Sequence, residues 1–155
     1  MKSWLMKSEP SVYSIDDLRR DTTTGWDSIR NYKARNYLRD EIQVGDRVLF
    51  YHSNAEPPGV AGVAEVVQNG HPDPVQFDAK SDYYDPKATR EKPIWFQVRV
   101  KFVEKFSTFV PLQALREHAA LSDMMVIKRG ARLSVQPVTA REFNTIVRLG
   151  RGGHS

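Results

Sequence analysis

The sequence contains no cysteine. That absence excludes disulfide staples, thiolate metal sites and a cysteine nucleophile together, and it fits a reducing compartment. Long hydrophobic runs are missing too. The longest uninterrupted apolar stretches are four to five residues, against the ~20 that a membrane-crossing helix needs. Met1 leads at once into a strand-like segment rather than a basic-then-apolar leader. These readings predict a cytoplasmic protein with no membrane partner. The four histidines (His52, His71, His118 and His154) fall at spacings that suit no familiar metal site. The aspartates between Asp73 and Asp85 lack the ligand rhythm of a calcium loop. There is no glycine-rich phosphate loop, no dinucleotide fingerprint and no Gly-x-Ser-x-Gly elbow. Neither a metal nor a cofactor is expected.

What remains is an ordinary globular composition. With 155 residues, 40% hydrophobic and 27% charged, the chain holds about one domain. It is expected over residues 1–150, with 151–155 as a disordered tail. Lysine and arginine (23) exceed aspartate and glutamate (19) by four, and the surplus is clustered. Arg30, Lys33, Arg35 and Arg39 occur with no acid between residues 28 and 39, and residues 128–151 hold six basic residues against Glu142 alone. Two such segments can meet on one face after folding, the footprint of a polyanion partner. The compensating Asp73, Asp78, Asp82 and Asp85 read as an acidic, solvent-facing loop.

Hydrophobic periodicity predicts a strand over 3–7. A short helix follows, opened by a Ser14/Asp17 capping box. Residues 19–25 form a polar connection, and 29–42 are helical over their second half. Val44-Gly45-Asp46 is a turn launching a strand over 47–53. A small-residue strand covers 60–67, where Gly62 permits close backbone approach. Residues 68–93 form a long polar connection, a length that is functional or unusually packed inside a compact domain. Strict alternation marks a half-buried strand over 94–103. A helix follows near 111–118, then a strand over 131–137. The closing helix has a Thr139/Glu142 box and a stripe of Phe143, Ile146 and Val147. Separate strands with short helices, without βαβ alternation, define an α+β domain around a mostly antiparallel sheet.

Polar residues interleave with aromatics in three places: Lys7-Ser8-Glu9-Pro10, the segment from Trp26 to Asn36, and Phe50-Tyr51-His52-Ser53-Asn54. Their order resembles the EVE domain family, a branch of the PUA-like superfamily related to YTH domains. The likeness runs essentially end to end. It takes in Trp4-Leu5-Met6-Lys7-Ser8-Glu9-Pro10, Tyr13-Ser14-Ile15-Asp16-Asp17-Leu18, Arg30-Asn31-Tyr32, Ala34-Arg35-Asn36 and Gly45-Asp46. It continues through Phe50-Tyr51-His52-Ser53, Tyr83-Tyr84-Asp85-Pro86 and Arg132-Leu133-Ser134-Val135-Gln136-Pro137. Two departures stand in the second segment: Ser28 where glycine is usual, and Lys33 where glutamine is common.

The resemblance implies a curved sheet or pseudo-barrel of five to six strands flanked by short helices, with a cavity rimmed by basic residues. Members of that family bind nucleic acid, some preferring methylated or hydroxymethylated cytosine. The implied partner is DNA or RNA with a modified base, bound by a monomer or weak dimer, and a separate effector protein would supply any downstream activity. A flipped base needs an aromatic plane and fixed polar groups at its edge. Trp26 is the first stacking candidate, or else a plug in the core, with Tyr51 as another wall. Asn31 and Ser53, assisted by Asn54, serve the base edge or else cap turns. Ser8 and Pro10 complete the pocket. Glu9 accepts from an exocyclic amine or pairs with Arg35. Arg30, Lys33, Arg35 and Arg132 hold phosphates, and Tyr83 and Tyr84 pack the long loop. The rival reading is a small PUA-like, ASCH-type hydrolase acting on a modified nucleoside, with Lys7 and Glu9 on one face of the first strand as its reactive pair.

Overall fold

The computed structural model describes residues 1–130 and 132–153. Six strands form one sheet in the order β2-β5-β4-β3-β1-β6, open at β2 and β6. They are β1 (Ser3–Ser8), β2 (Thr23–Gly25), β3 (Arg47–His52), β4 (Gly59–Pro72), β5 (Phe96–Pro111) and β6 (Val135–Val138). Only the β1–β3 pair runs parallel among the described pairings.

Alternation along β1 and β3 makes the sheet two-faced. Trp4, Met6, Val48 and Phe50 point into one core layer, and Leu5, Leu49 and Tyr51 into the other. The first layer is covered by α1 (Ile15–Asp21), α2 (Tyr32–Asn36) and a π-helical turn, Tyr37–Glu41. The second is covered by α3 (Leu112–Glu117) and α4 (Ala140–Gly150). Both capping boxes form: Ser14 and Asp17 exchange side-chain and backbone bonds at α1, as Thr139 and Glu142 do at α4. Ile146 of α4 is fully buried, with Phe143 and Val147 packed beside it.

The first basic segment and the α4 part of the second do not share a face. Ala34 places α2 on the first layer and Ile146 places α4 on the second, so the sheet stands between Arg35 and the α4 arginines Arg141 and Arg148. Arg151 pairs with Glu104 at 2.6 Å, and the Gly153 amide donates to the Arg148 carbonyl. His154 and Ser155, the end of the expected tail, lie outside the described residues, as does Ala131, where the strand over 131–137 was to begin.

Four elements differ from the expectations, the first being β6, which spans Val135–Val138 and leaves residues 132–134 outside the strand. The polar connection 19–25 contains β2, which pairs with Lys101, Val100 and Arg99 of β5. β4 continues to Pro72, five residues beyond the small-residue run ending at Val67. β5 extends to Pro111 rather than stopping near 103. Register shifts between Val60 and Gly62, Val63 and Ala64, Val66 and Gln68, and Gln68 and His71 break the period-two signal while the ladder continues. At Gly62 the close approach is real: a Cβ there would meet the Glu104 carbonyl at 2.3 Å.

Candidate nucleic-acid interface

Where β1 ends, Ser8 turns the chain back on itself. Its hydroxyl donates to the Tyr13 carbonyl at 2.6 Å, while the Glu9 carbonyl accepts from the Val12 and Tyr13 amides. Between this turn and the chain leaving β2 lies a cavity of about 340 Å³. Its wall includes Lys7, Ser8, Tyr13, Trp26, Asp27 and Ser28, and Tyr83 reaches it from the long connection. Trp26 is only 7% exposed. Its ring meets Phe50 edge to face at 5.3 Å, so the one side chain belongs to the core and to the cavity wall at once.

The polar rim is built around Asp73, which is fully buried. Its Oδ2 accepts from the Ser28 amide at 2.7 Å and from Arg30 Nη1 at 3.0 Å, and its Oδ1 accepts from the Val75 amide. Gln76, also fully buried, accepts from the Ile94 and Trp95 amides through Oε1 and donates to the Asp73 and Trp95 carbonyls. Asp85 Oδ2 accepts from Trp95 Nε1 at 2.8 Å, a bond that holds its carboxyl below the usual range. The acidic segment is therefore the internal frame of the connection and not simply a solvated loop. At the rim the Asp27 carboxyl is held above its ordinary pKa, first by loss of water around it and further by the Asp73 charge. The Ser28 hydroxyl and Arg30 oppose that rise. Burial pushes the Lys7 ammonium down; its Nζ lies 5.8 Å from the Tyr51 ring centre.

Ser28, the departure from glycine, has φ 65°. The left-handed region costs a non-glycine residue about 1–2 kcal/mol. Its hydroxyl donates to Asp27 Oδ1 at 2.9 Å at an exposed position, a small return on that strain. Ser28→Gly is expected to raise stability by about 1 kcal/mol in denaturant unfolding. A loss of stability would show that the Asp27 bond outweighs the backbone strain.

The expected site residues separate into groups. Ser8 and Trp26 line the cavity. Tyr51 does not: it is 3% exposed and faces the opposite core layer. Glu9 is exposed and turned to Asn54, whose Nδ2 donates to its carboxylate; Arg35 is not its partner. Asn54 itself adopts φ 48°. Pro10 belongs to the turn after β1, and the Ser53 amide donates to the Ser8 carbonyl. Asn31 caps α2, its Oδ1 accepting from the Ala34 amide at 3.0 Å. Arg30 is directed inward, to Asp73 and to the Tyr83 carbonyl, so its charge is already answered by a buried carboxylate. Arg35 donates through Nη1 to the Ile94 carbonyl. Lys33 and Arg132 are exposed and lie outside the cavity wall. Asp27, Ser28, Tyr13 and Tyr83 entered the wall without being singled out as ligand contacts. The Tyr83-Tyr84 pair inside a long polar connection is the signal that could have pointed there, but both were read as packing for that connection.

Among the described residues no helix is long and apolar enough to cross a membrane, and no group of three or more histidines or carboxylates can hold a metal ion.

An open, curved, mostly antiparallel sheet with short helices on both faces and a cavity at the end of β1 defines a PUA-like α+β domain. The EVE domain family model matches residues 2–149, and the chain belongs to that family. Thymocyte nuclear protein 1 of Danio rerio is 40% identical, over 94% of this chain and 71% of that protein. The same protein of Homo sapiens is 38% identical, over 94% and 72%. A hypothetical protein from Leishmania major superposes with TM-score 0.92 at 47% identity, covering 98% of this chain and 96% of its own. The human THYN1 protein in complex with 5-methylcytosine-containing DNA superposes with TM-score 0.89 at 38% identity, covering 97% and 98%. A YTH domain of Zygosaccharomyces rouxii, at TM-score 0.56 and 14% identity over 99% and 89%, shares the fold.

The relatives' name, thymocyte nuclear protein 1, overturns the cytoplasmic expectation. Absence of cysteine is as usual in the nucleus as in the cytosol, so composition had no power to separate the two.

Proposed function

We propose that the chain binds nucleic acid by taking one base, swung out of its stack, into the cavity beside Trp26. That base carries a methyl or hydroxymethyl group. The observation that carries this reading is the cavity itself, whose wall combines the Trp26 indole, packed edge to face with Phe50, with the polar residues Ser8, Asp27 and Ser28. At about 340 Å³ it lies at the small end of ligand pockets, the right scale for a single nucleobase. Asp27, rather than Glu9, is the carboxylate placed to accept from an exocyclic amine. Residues 1–150 act as the one binding domain, without a covalent step, and a separate effector supplies any downstream activity. The complex of the human relative with 5-methylcytosine DNA supports the ligand class.

The test is titration of the purified protein with matched short single- and double-stranded DNA and RNA at two salt concentrations. Each strand carries cytosine or adenine in unmodified, methylated or hydroxymethylated form. A buried methyl contributes about 0.8 kcal/mol, so methylation of the preferred base is expected to tighten binding about fourfold. Uniform, salt-sensitive affinity across the set would reduce the protein to a basic platform. No binding would refute the proposal.

A further inference from the structure

Beside the cavity runs a continuous stack of rings and cations. The Arg30 guanidinium carbon lies 5.6 Å from the Tyr83 ring centre and 5.2 Å from that of Trp95. Trp95 lies 4.9 Å from Tyr32 at an interplanar angle of 31°, and Arg35 sits 5.0 Å from the Tyr32 ring. We propose that this ladder is the track for the polynucleotide strand that flanks the base in the cavity, with neighbouring bases stacking on Tyr32 and Tyr83 and phosphates meeting Arg35 and Lys33. The anchor of the track rests on the proposed base-binding cavity.

Three observations favour a strand. The ladder is continuous with the cavity, because Tyr83 belongs to both. Its aromatic ends face water, Tyr32 being 60% and Tyr83 47% exposed, whereas the middle is locked. Arg30 is tied to buried Asp73 and the Tyr83 carbonyl, and Trp95 to Asp85. A platform held this way loses little freedom when a base stacks on it. The charge also suits phosphate at Lys33 and Arg35: of the four cations in residues 28–39, Arg30 answers buried Asp73 and Arg39 pairs with Asp40, while these two have no carboxylate partner among the described ion pairs. Rings with interleaved arginines are the arrangement that binds single strands without sequence preference.

The experiment compares the full chain with Tyr32→Ala and Tyr32→Trp. Tyr32 is exposed, so neither change threatens the fold. Affinities are measured for 5-methyl-2′-deoxycytidine monophosphate, for a short single strand carrying one 5-methylcytosine, and for its unmodified counterpart. Tyr32→Ala is expected to weaken both strands about 5- to 150-fold, the alanine cost of one stacked base. It should leave the mononucleotide unchanged, and Tyr32→Trp should retain strand affinity. Strand binding that is insensitive to Tyr32→Ala, or that falls no more than mononucleotide binding, overturns the track. Poly-glutamate binding that Tyr32→Ala abolishes while strand binding persists would also overturn it, in favour of an acidic protein partner. Tyr32-dependent strand binding with no preference for 5-methylcytosine would sink the cavity reading and leave the track standing. If no strand binds at all, both fail.

Discussion

Asp73→Ala is expected to lower the unfolding free energy by about 3–5 kcal/mol, the cost of breaking a buried ion pair from one side. The Asp73 side chain is 0% exposed and that of Arg30 20%, so solvent screens the pair weakly. Removing the carboxylate also strands the Ser28 amide and the first amide of the turn at Val75, each a half-buried donor that loses its acceptor. For a chain of this size the melting temperature should fall by roughly 6–20 °C. Pairing Asp73→Leu with Arg30→Met should return much of the loss, because apolar side chains of similar volume can replace a buried pair at little cost. A fall below about 1 kcal/mol in the single variant would show that the connection 73–93 is held by Gln76 and Asp85 without the ion pair.

This connection is also where the sequence was hardest to read. Aspartate, proline and glycine in a long polar segment have the composition of a solvated loop, and composition carries no information about which carboxylate turns inward. Asp73 is buried because it has three donors waiting, two of them from residues 43 and 45 positions earlier in the chain. Local patterning was more informative. The short apolar run Trp4-Leu5-Met6 located β1, and the two capping boxes located α1 and α4, because each signal is complete within a few residues. β2 escaped for the opposite reason. Its three residues bury no apolar face and exist only as partners of β5. β4 and β5 were found but cut short, since each bulge resets the alternation on which strand length was judged.

The site was legible in part for the same physical reason. Ser8 could be placed in a wall because it ends a strand that was read, and Trp26 because it opens the segment of interleaved aromatics and polar residues up to Asn36. Tyr51 could not, because one residue of register decides which face of a strand it takes, and Phe50 rather than Tyr51 faces Trp26. Asn31 and Arg30 have the donors and acceptors that a nucleic acid would meet, yet both are committed within the protein, one as a helix cap and the other to Asp73. Chemistry alone does not reveal whether a polar group is already satisfied.

Trp26→Ala is expected to act on stability and binding together, and the two effects must be separated. Deleting a buried indole costs about 3–5 kcal/mol, a large share of the 5–15 kcal/mol that holds a typical domain together. Loss of the edge-to-face contact with Phe50 forms part of that cost. Lost binding in the alanine variant alone could therefore reflect unfolding. Trp26→Phe keeps a ring against Phe50 and leaves the backbone bond from the residue 26 amide to the Val98 carbonyl intact. It removes the pyrrole ring of the indole that lines the cavity. It should stay folded by circular dichroism at 20 °C or below, yet bind a 5-methylcytosine strand at least about fivefold more weakly, the lower end of the cost of losing one base stack. The ratio of methylated to unmodified affinity should also shrink, because in the proposed mode the methyl would pack against the wall that the indole shapes. Full affinity in a folded Trp26→Phe protein, with the ratio unchanged, would assign Trp26 to the core alone and move the stacking surface to Tyr83, the other ring on the cavity wall.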